Sequence, residues 1–148
     1  MDLEICRELG DRHGEGAALN NLGTALREVR RFDEAIDALQ QAVDIAREFG
    51  DRHGEGITLN NLGLALQEVR RFAEAIEAHQ QAADIARELG DRHGEGQALG
   101  NLGIALQEVR RFDEAIGCLE EALRAFIETG DDHNVGILRD WLDRLGDS

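Results

Sequence analysis

The chain has 148 residues and a formal net charge of −15; its 16 strongly basic residues are all arginine, and it contains no lysine, tyrosine or proline. That acidity argues against nucleic acid and anionic membrane as partners, because both are polyanions, and it keeps an elongated chain soluble. Without lysine there is no Schiff base and no phosphate-loop lysine, and Ser148 is the only serine, so neither an enzyme nor a cofactor is expected.

The sequence is written in a 40-residue period. Asn20-Asn21-Leu22-Gly23, Asn60-Asn61-Leu62-Gly63 and Gly100-Asn101-Leu102-Gly103 stand at the same place in three successive units, and Leu9 to Glu48 matches Phe49 to Glu88 at 31 of 40 positions. A fixed period of this length means stacked units, each touching its neighbours, rather than one closed globule. Residues 1–9 align with the end of a unit and read as the tail of a helix, with Leu3, Ile5, Cys6 and Leu9 on its apolar side. Gly10 is expected to stop that helix in the left-handed conformation, with Asp11 as the N-cap of the next.

The spacing then predicts a helix over Arg12–Val29, with Leu19, Leu22, Ala25, Leu26 and Val29 as one buried stripe. After a turn at Arg30-Arg31, a second helix over Phe32–Phe49 faces Ala35, Ile36, Leu39, Ala42, Val43 and Ala46 inward. The pair recurs at Arg52–Val69 and Phe72–Leu89, and at Arg92–Val109 and Phe112–Thr129; short connections make consecutive helices antiparallel. Gly14, Gly16 and Gly23 each weaken a helix by about 1 kcal/mol relative to Ala, and close approach of a neighbouring helix is the expected reason. The units are thus 10–49, 50–89 and 90–129. In 130–148 the pattern breaks: Ile137, Leu138, Trp141, Leu142 and Leu145 oppose Arg139, Asp140, Asp143 and Arg144, which suits a capping helix with a frayed Gly-Asp-Ser end.

These residues resemble the tetratricopeptide repeat. Leu19, Leu22, Gly23, Leu26, Phe32, Ala35, Leu39 and Ala42 meet its pattern in the first unit, and Leu59, Leu62, Gly63, Leu66, Phe72, Ala75 and Ala82 in the second. The third answers with Leu99, Leu102, Gly103, Leu106, Phe112, Ala115, Leu119 and Ala122. The unit is longer than the family's usual one and lacks its helix-ending proline. This longer wording is similar to the repeats of Pins/LGN-type scaffolds, and more loosely to kinesin light chains and to bacterial arrays fused to signalling ATPases. The resemblance implies an all-α, right-handed superhelical solenoid of antiparallel helix pairs: three repeats with terminal capping helices. It also implies non-catalytic binding of a protein or peptide segment along the concave face, within a larger scaffold or signalling protein.

The groove positions implied by the resemblance are Asn20, Asn21, Thr24 and Arg27, then Asn60, Asn61, Leu64 and Gln67, then Asn101, Ile104 and Gln107. Asn21, Asn61 and Asn101 make one rung per repeat. A carboxamide offers donors and an acceptor, so the rungs either hold a peptide backbone or bond neighbouring helices or water. Thr24, Leu64 and Ile104 form an increasingly apolar strip beside them, and Ala17, Ile57 and Gln97 vary too.

Other features read more plainly. His13, His53, His93 and His133 share one register, but metal ligands must lie about 2 Å from the ion and packed helices sit roughly 10 Å apart, so they read as helix-end surface residues and no metal is expected. His79 stands where Leu39 and Leu119 fill the interior and is expected to be partly buried. The Arg-Arg pairs are placed to favour the negative end of the preceding helix, and Trp141 to sit in the core of the cap. Cys6 and Cys118 lie nearly three units apart, beyond disulfide reach. With no signal peptide in Met1-Asp2-Leu3-Glu4 and no apolar run of about 18 residues, a cytoplasmic location and no membrane are expected. The lysine-free, Ala- and Arg-rich composition points to a bacterial source. Two further functions stand beside groove binding: self-assembly, as a homo-oligomer through the exposed N-terminal half-helix or as end-to-end stacks, and a sensor arm of a bacterial signalling ATPase.

Overall fold

A computed structural model describes residues 3–146, excluding the side chains of residues 3–7 and 9. The expected apolar side formed by Leu3, Ile5, Cys6 and Leu9, the fraying of Asp147 and Ser148, and the separation of Cys6 from Cys118 therefore lie outside the described residues. Among those described there are seven helices and no strand: α1 (Leu3–Glu28), α2 (Phe32–Glu48), α3 (Arg52–Glu68), α4 (Phe72–Glu88), α5 (Arg92–Glu108), α6 (Phe112–Thr129) and α7 (Asp132–Gly146). Each helix packs on the next, and α1, α3 and α5 also touch in order along one side. The result is an all-α solenoid of antiparallel pairs. No helix of the described residues is long and apolar enough to cross a membrane.

Local chemistry sets the ends of these helices. Asp51 and Asp91 cap α3 and α5, each carboxylate accepting the N–H of the third residue on, Gly54 and Gly94, at 2.9 Å. A Cβ on Gly54 or Gly94 would collide with that same carboxylate. These glycines therefore make room for the cap, not for a neighbouring helix as the sequence suggests, and Gly14 has only open space around it. Gly23 and Gly103 do answer to close packing: a Cβ would lie 2.5 Å from Leu39 and 2.7 Å from Leu119. The Arg-Arg turns place Arg30, Arg70 and Arg110 at φ of 65°, 63° and 64°. Their second arginines, Arg31, Arg71 and Arg111, each grip the glutamate three residues on, Glu34, Glu74 and Glu114.

The core is one continuous strip. Leu59, Leu62, Ala65 and Leu66 of α3 and their counterparts Leu99, Leu102, Ala105 and Leu106 of α5 are buried between a second helix on each side. Among the described residues α1 has α2 on one side and no earlier helix on the other. Leu22 is 50 % exposed, against 5 % for Leu62 and 2 % for Leu102, and Val29 is 64 % exposed, against 38 % for Val109. The buried stripe expected in the first unit is thus a half-open one: Leu19 and Leu26 are half-buried and Ala25 is exposed.

Gly10 does not stop a helix. α1 runs unbroken through Gly10 and Asp11, and the glycines with positive φ are Gly50, Gly90 and Gly130. Glycine permits the left-handed turn without imposing it. At the three later sites, packing between the helices on either side sustains the turn; among the described residues no helix before α1 does so at Gly10, and helical hydrogen bonds continue.

The units are also joined by charge. Glu55 is buried between Arg47 and Arg52, both at 3.0 Å, and Glu95 between Arg87 at 2.7 Å and Arg92 at 3.0 Å. Hydrogen bonding to Glu95 is the main cause that raises the Arg87 pKa. The α6–α7 junction dispenses with this. Ile127 and Val135 stand at the positions of Arg47 and Glu55, and Val135 is buried.

Candidate functional site: a groove across α3, α5 and α7

α7 is in register with the first helices of the array: Ile137 follows Gln97 by one 40-residue period and Trp141 follows Asn101. It accordingly lies beside α5 as a fourth first helix, and the three together wall a cavity of about 560 Å³. Asn60, Asn61 and Leu64 of α3, Gln97, Asn101 and Ile104 of α5 and Ile137 of α7 line it. Ile57 and Ile137 are large apolar side chains held 46 % and 44 % exposed at its opposite walls. Among the described residues Asp91 is the only acidic one in the lining, so a trough with little charge runs through a strongly acidic chain.

The remaining expected groove positions divide. Asn20 and Asn21 line a smaller cavity of about 220 Å³ that shares Ile57. Thr24, Arg27, Gln67 and Gln107 line neither. The Thr24 hydroxyl donates back to the Asn20 carbonyl at 3.0 Å, Gln107 accepts the Trp141 indole N–H at 2.6 Å, and the Arg27 Nε is buried without a hydrogen-bond partner. Ile137, His53 and His93 line the cavity and are not among the groove positions that the sequence implies. The 40-residue register of α7 is the signal that could have placed Ile137.

The asparagine ladder points along the array. Asn61 Nδ2 donates to Asn20 Oδ1 and Asn101 Nδ2 to Asn60 Oδ1, both at 3.1 Å. Asn61 and Asn101 therefore bond neighbouring first helices, while each of these two amides retains a further N–H and an oxygen. The ladder stops where Gly100 offers no acceptor and Trp141 stands in place of the next asparagine.

Two histidine settings flank the groove. His13 Nε2 lies 3.1 Å from Asp51 and His93 Nε2 2.9 Å from Asp131, each joining one unit to the cap of the next. The hydrogen bond to His93, aided by two from Asn134, holds the Asp131 pKa down to about 2; the Gly54 N–H and then His13 lower that of Asp51. Among the described residues no three His, Cys, Asp or Glu side chains gather as a metal site would need. His79 is not partly but fully buried, with Nδ1 2.8 Å from Asn60 Oδ1 and Nε2 2.5 Å from Gln67 Oε1. Burial pushes its pKa down to about 4.

The sequence profile of the tetratricopeptide repeat family matches residues 3–48 and 54–128. A search of the curated proteins returned no match. Among solved structures the chain is similar to the TPR domain of Arabidopsis FLU, at 20 % identity and a TM-score of 0.74 over 80 % of this chain and 98 % of that one. It is similar to the N-terminal domain of stress-induced protein-1 from C. elegans, at 20 % identity and 0.70 over 87 % and 95 %. Aspartyl phosphate phosphatase F from Bacillus subtilis superposes with a TM-score of 0.84 at 15 % identity, covering 90 % of this chain but 35 % of that one. At these identities the likeness is one of fold.

Proposed function

Because the chain belongs to the tetratricopeptide repeat family, we propose that it is a non-catalytic binding module that takes a peptide segment of a partner protein into the groove across α3, α5 and α7, within a scaffold or signalling assembly. The observation that carries this reading is the contrast between frame and lining. Repeated leucines of the frame, such as Leu62 and Leu102, are buried, while Ile57, Gln97 and Ile137, and Leu64 and Ile104, positions that change from unit to unit, face the cavity beside the repeated Asn61 and Asn101. Apolar side chains left in a trough with little charge gain by burying a partner's apolar side chains. The acidic surroundings favour a segment that also carries basic residues. An extended or helical segment meets the remaining amide N–H and oxygen of Asn61 and Asn101 along its backbone.

Selection of a displayed random peptide library on the chain, followed by calorimetric titration of the selected peptides, tests this. Peptides rich in apolar residues are expected to lose at least tenfold in affinity for an Ile57→Glu/Ile137→Glu variant, whose exposed sites leave the fold intact. Peptides that bind both proteins equally, or a library that yields none, would count against the groove.

A second reading, self-association, is favoured by the open side of α1, where Leu22 is exposed at a position that α3 and α5 bury with Leu62 and Leu102. Sedimentation at rising concentration decides it. A constant monomer mass removes it; a mass that rises and falls back on Leu22→Glu supports it.

A further inference from the structure

His79 is 0 % exposed at a position where the neighbouring units carry Leu39 and Leu119, and both of its ring nitrogens face amide oxygens, Asn60 Oδ1 at 2.8 Å and Gln67 Oε1 at 2.5 Å. A neutral imidazole has one N–H and cannot donate to both. An imidazolium could, but burial keeps the ring neutral, and among the described residues no carboxylate pairs with it. One amide must therefore present its amino group instead. Asn60 Oδ1 also accepts Asn101 Nδ2 at 3.1 Å, which fixes that oxygen inward. No second bond holds the Gln67 amide among the described residues, and an amide turned end for end keeps its shape. Gln67 is the one that turns.

We propose that His79 is the positioning residue of Asn60 in the groove: as the Nδ1–H tautomer it engages Asn60 Oδ1 together with Asn101, so that Asn60 offers the cavity N–H donors only, while Gln67 gives its amino group to His79 Nε2. The structural assignment stands by itself; its consequence for a partner rests on the groove reading above. In the first unit Asn20 Oδ1 receives Asn61, and Leu39, at the position of His79, has no N–H to add. The Asn20 oxygen keeps a lone pair. Asn20 and Asn60 thus differ in polarity, and a segment lying over Asn60 must bring an acceptor there, a backbone carbonyl or a side-chain oxygen.

Ring-¹⁵N-labelled histidine in the intact chain at pH 7 reads the tautomer directly. A protonated Nδ1 and an unprotonated Nε2 are expected at His79; a protonated Nε2, or protons on both nitrogens, overturns the proposal. His79→Leu copies Leu39 and Leu119 and is expected to fold while the side-chain amide signals of Asn60 and Gln67 move and those of Asn21 do not. His79→Gln, which can return an amide N–H to Asn60, is expected to restore the Asn60 signal toward its original position. An Asn60 signal that is unchanged in the leucine variant, or is not recovered in the glutamine variant, overturns the positioning role. Both readouts are taken without a partner, so they fail separately from the groove reading, which the peptide titration decides.

Discussion

Asn61 donates to Asn20 across 3.1 Å, one first helix to the one before it, and Asn101 repeats the bond to Asn60 at the same distance. A net amide hydrogen bond contributes about 1 kcal/mol. Asn61→Ala and Asn101→Ala are each expected to lower stability by about that amount in urea denaturation. Asn21→Ala, at the rung with no earlier unit to donate to among the described residues, is expected to stay within about 0.5 kcal/mol of the parent. Equal losses at all three positions would show that the amides do not act through the ladder.

The sequence makes the helix pairs legible because copied apolar positions at three- and four-residue spacing admit one packing solution. What it leaves open is where each amide and charge spends its bonds. Asn61 has the same local wording whether it reaches a partner or Asn20; only the distance between stacked helices decides. The cap glycines Gly54 and Gly94 show the same limit. Their repeated cost in helix stability is visible, but the carboxylate they accommodate lies three residues back on their own chain, not on a neighbour. Gly10 misleads for a different reason: its wording equals that of Gly50, and the helix that sustains a turn at Gly50 is a property of the array, not of the word.

The Arg47–Glu55–Arg52 cluster has an internal control in Ile127 and Val135. Exchanging a buried ion pair for packed apolar residues is often neutral or stabilising, whereas stripping one partner from a buried charge costs about 3–5 kcal/mol. The double variant Arg47→Ile/Glu55→Val is therefore expected to melt at or above the parent temperature. Arg47→Ala/Arg52→Ala, which leaves the Glu55 carboxylate buried without a cation, is expected to melt well below it. Calorimetric melts of the two variants compare them directly, and the reverse order would refute the account.

Acid is expected to withdraw stability at His79 and at Asp131 in two separate pH windows. His79 has its folded pKa lowered from 6.5 to about 4 by burial, so the unfolded chain binds the extra proton first. Its stabilising share is whole above pH 6.5 and shrinks as pH falls toward 4, by about 1.4 kcal/mol per pH unit across that window. Asp131 is lowered from 3.8 to about 2, chiefly by the bond from His93. Its share is whole above the ordinary carboxylate value and is lost as pH falls through 2. In urea titrations from pH 7 to 2, His79→Leu is expected to flatten the slope between pH 6.5 and 4, and Asp131→Asn to flatten it only below pH 4. A histidine variant that keeps the parent slope would contradict the neutral, buried ring.

Gly10 and Gly50 carry the same local sequence and opposite backbones, one inside α1 and the other at φ of 66°. A methyl group at either meets nothing within 4 Å, so alanine tests the backbone alone. Within a helix, alanine in place of glycine is worth about 1 kcal/mol of stability; in the left-handed region a Cβ costs roughly 1–2 kcal/mol. Gly10→Ala is expected to stabilise the chain and raise its helical circular dichroism, and Gly50→Ala to destabilise it. Loss of stability in both variants would mean that Gly10 turns as Gly50 does and that residues 3–9 fold back against α1. Opposite signs confirm a single helix from Leu3 to Glu28, whose exposed Leu22 none of the described residues then covers.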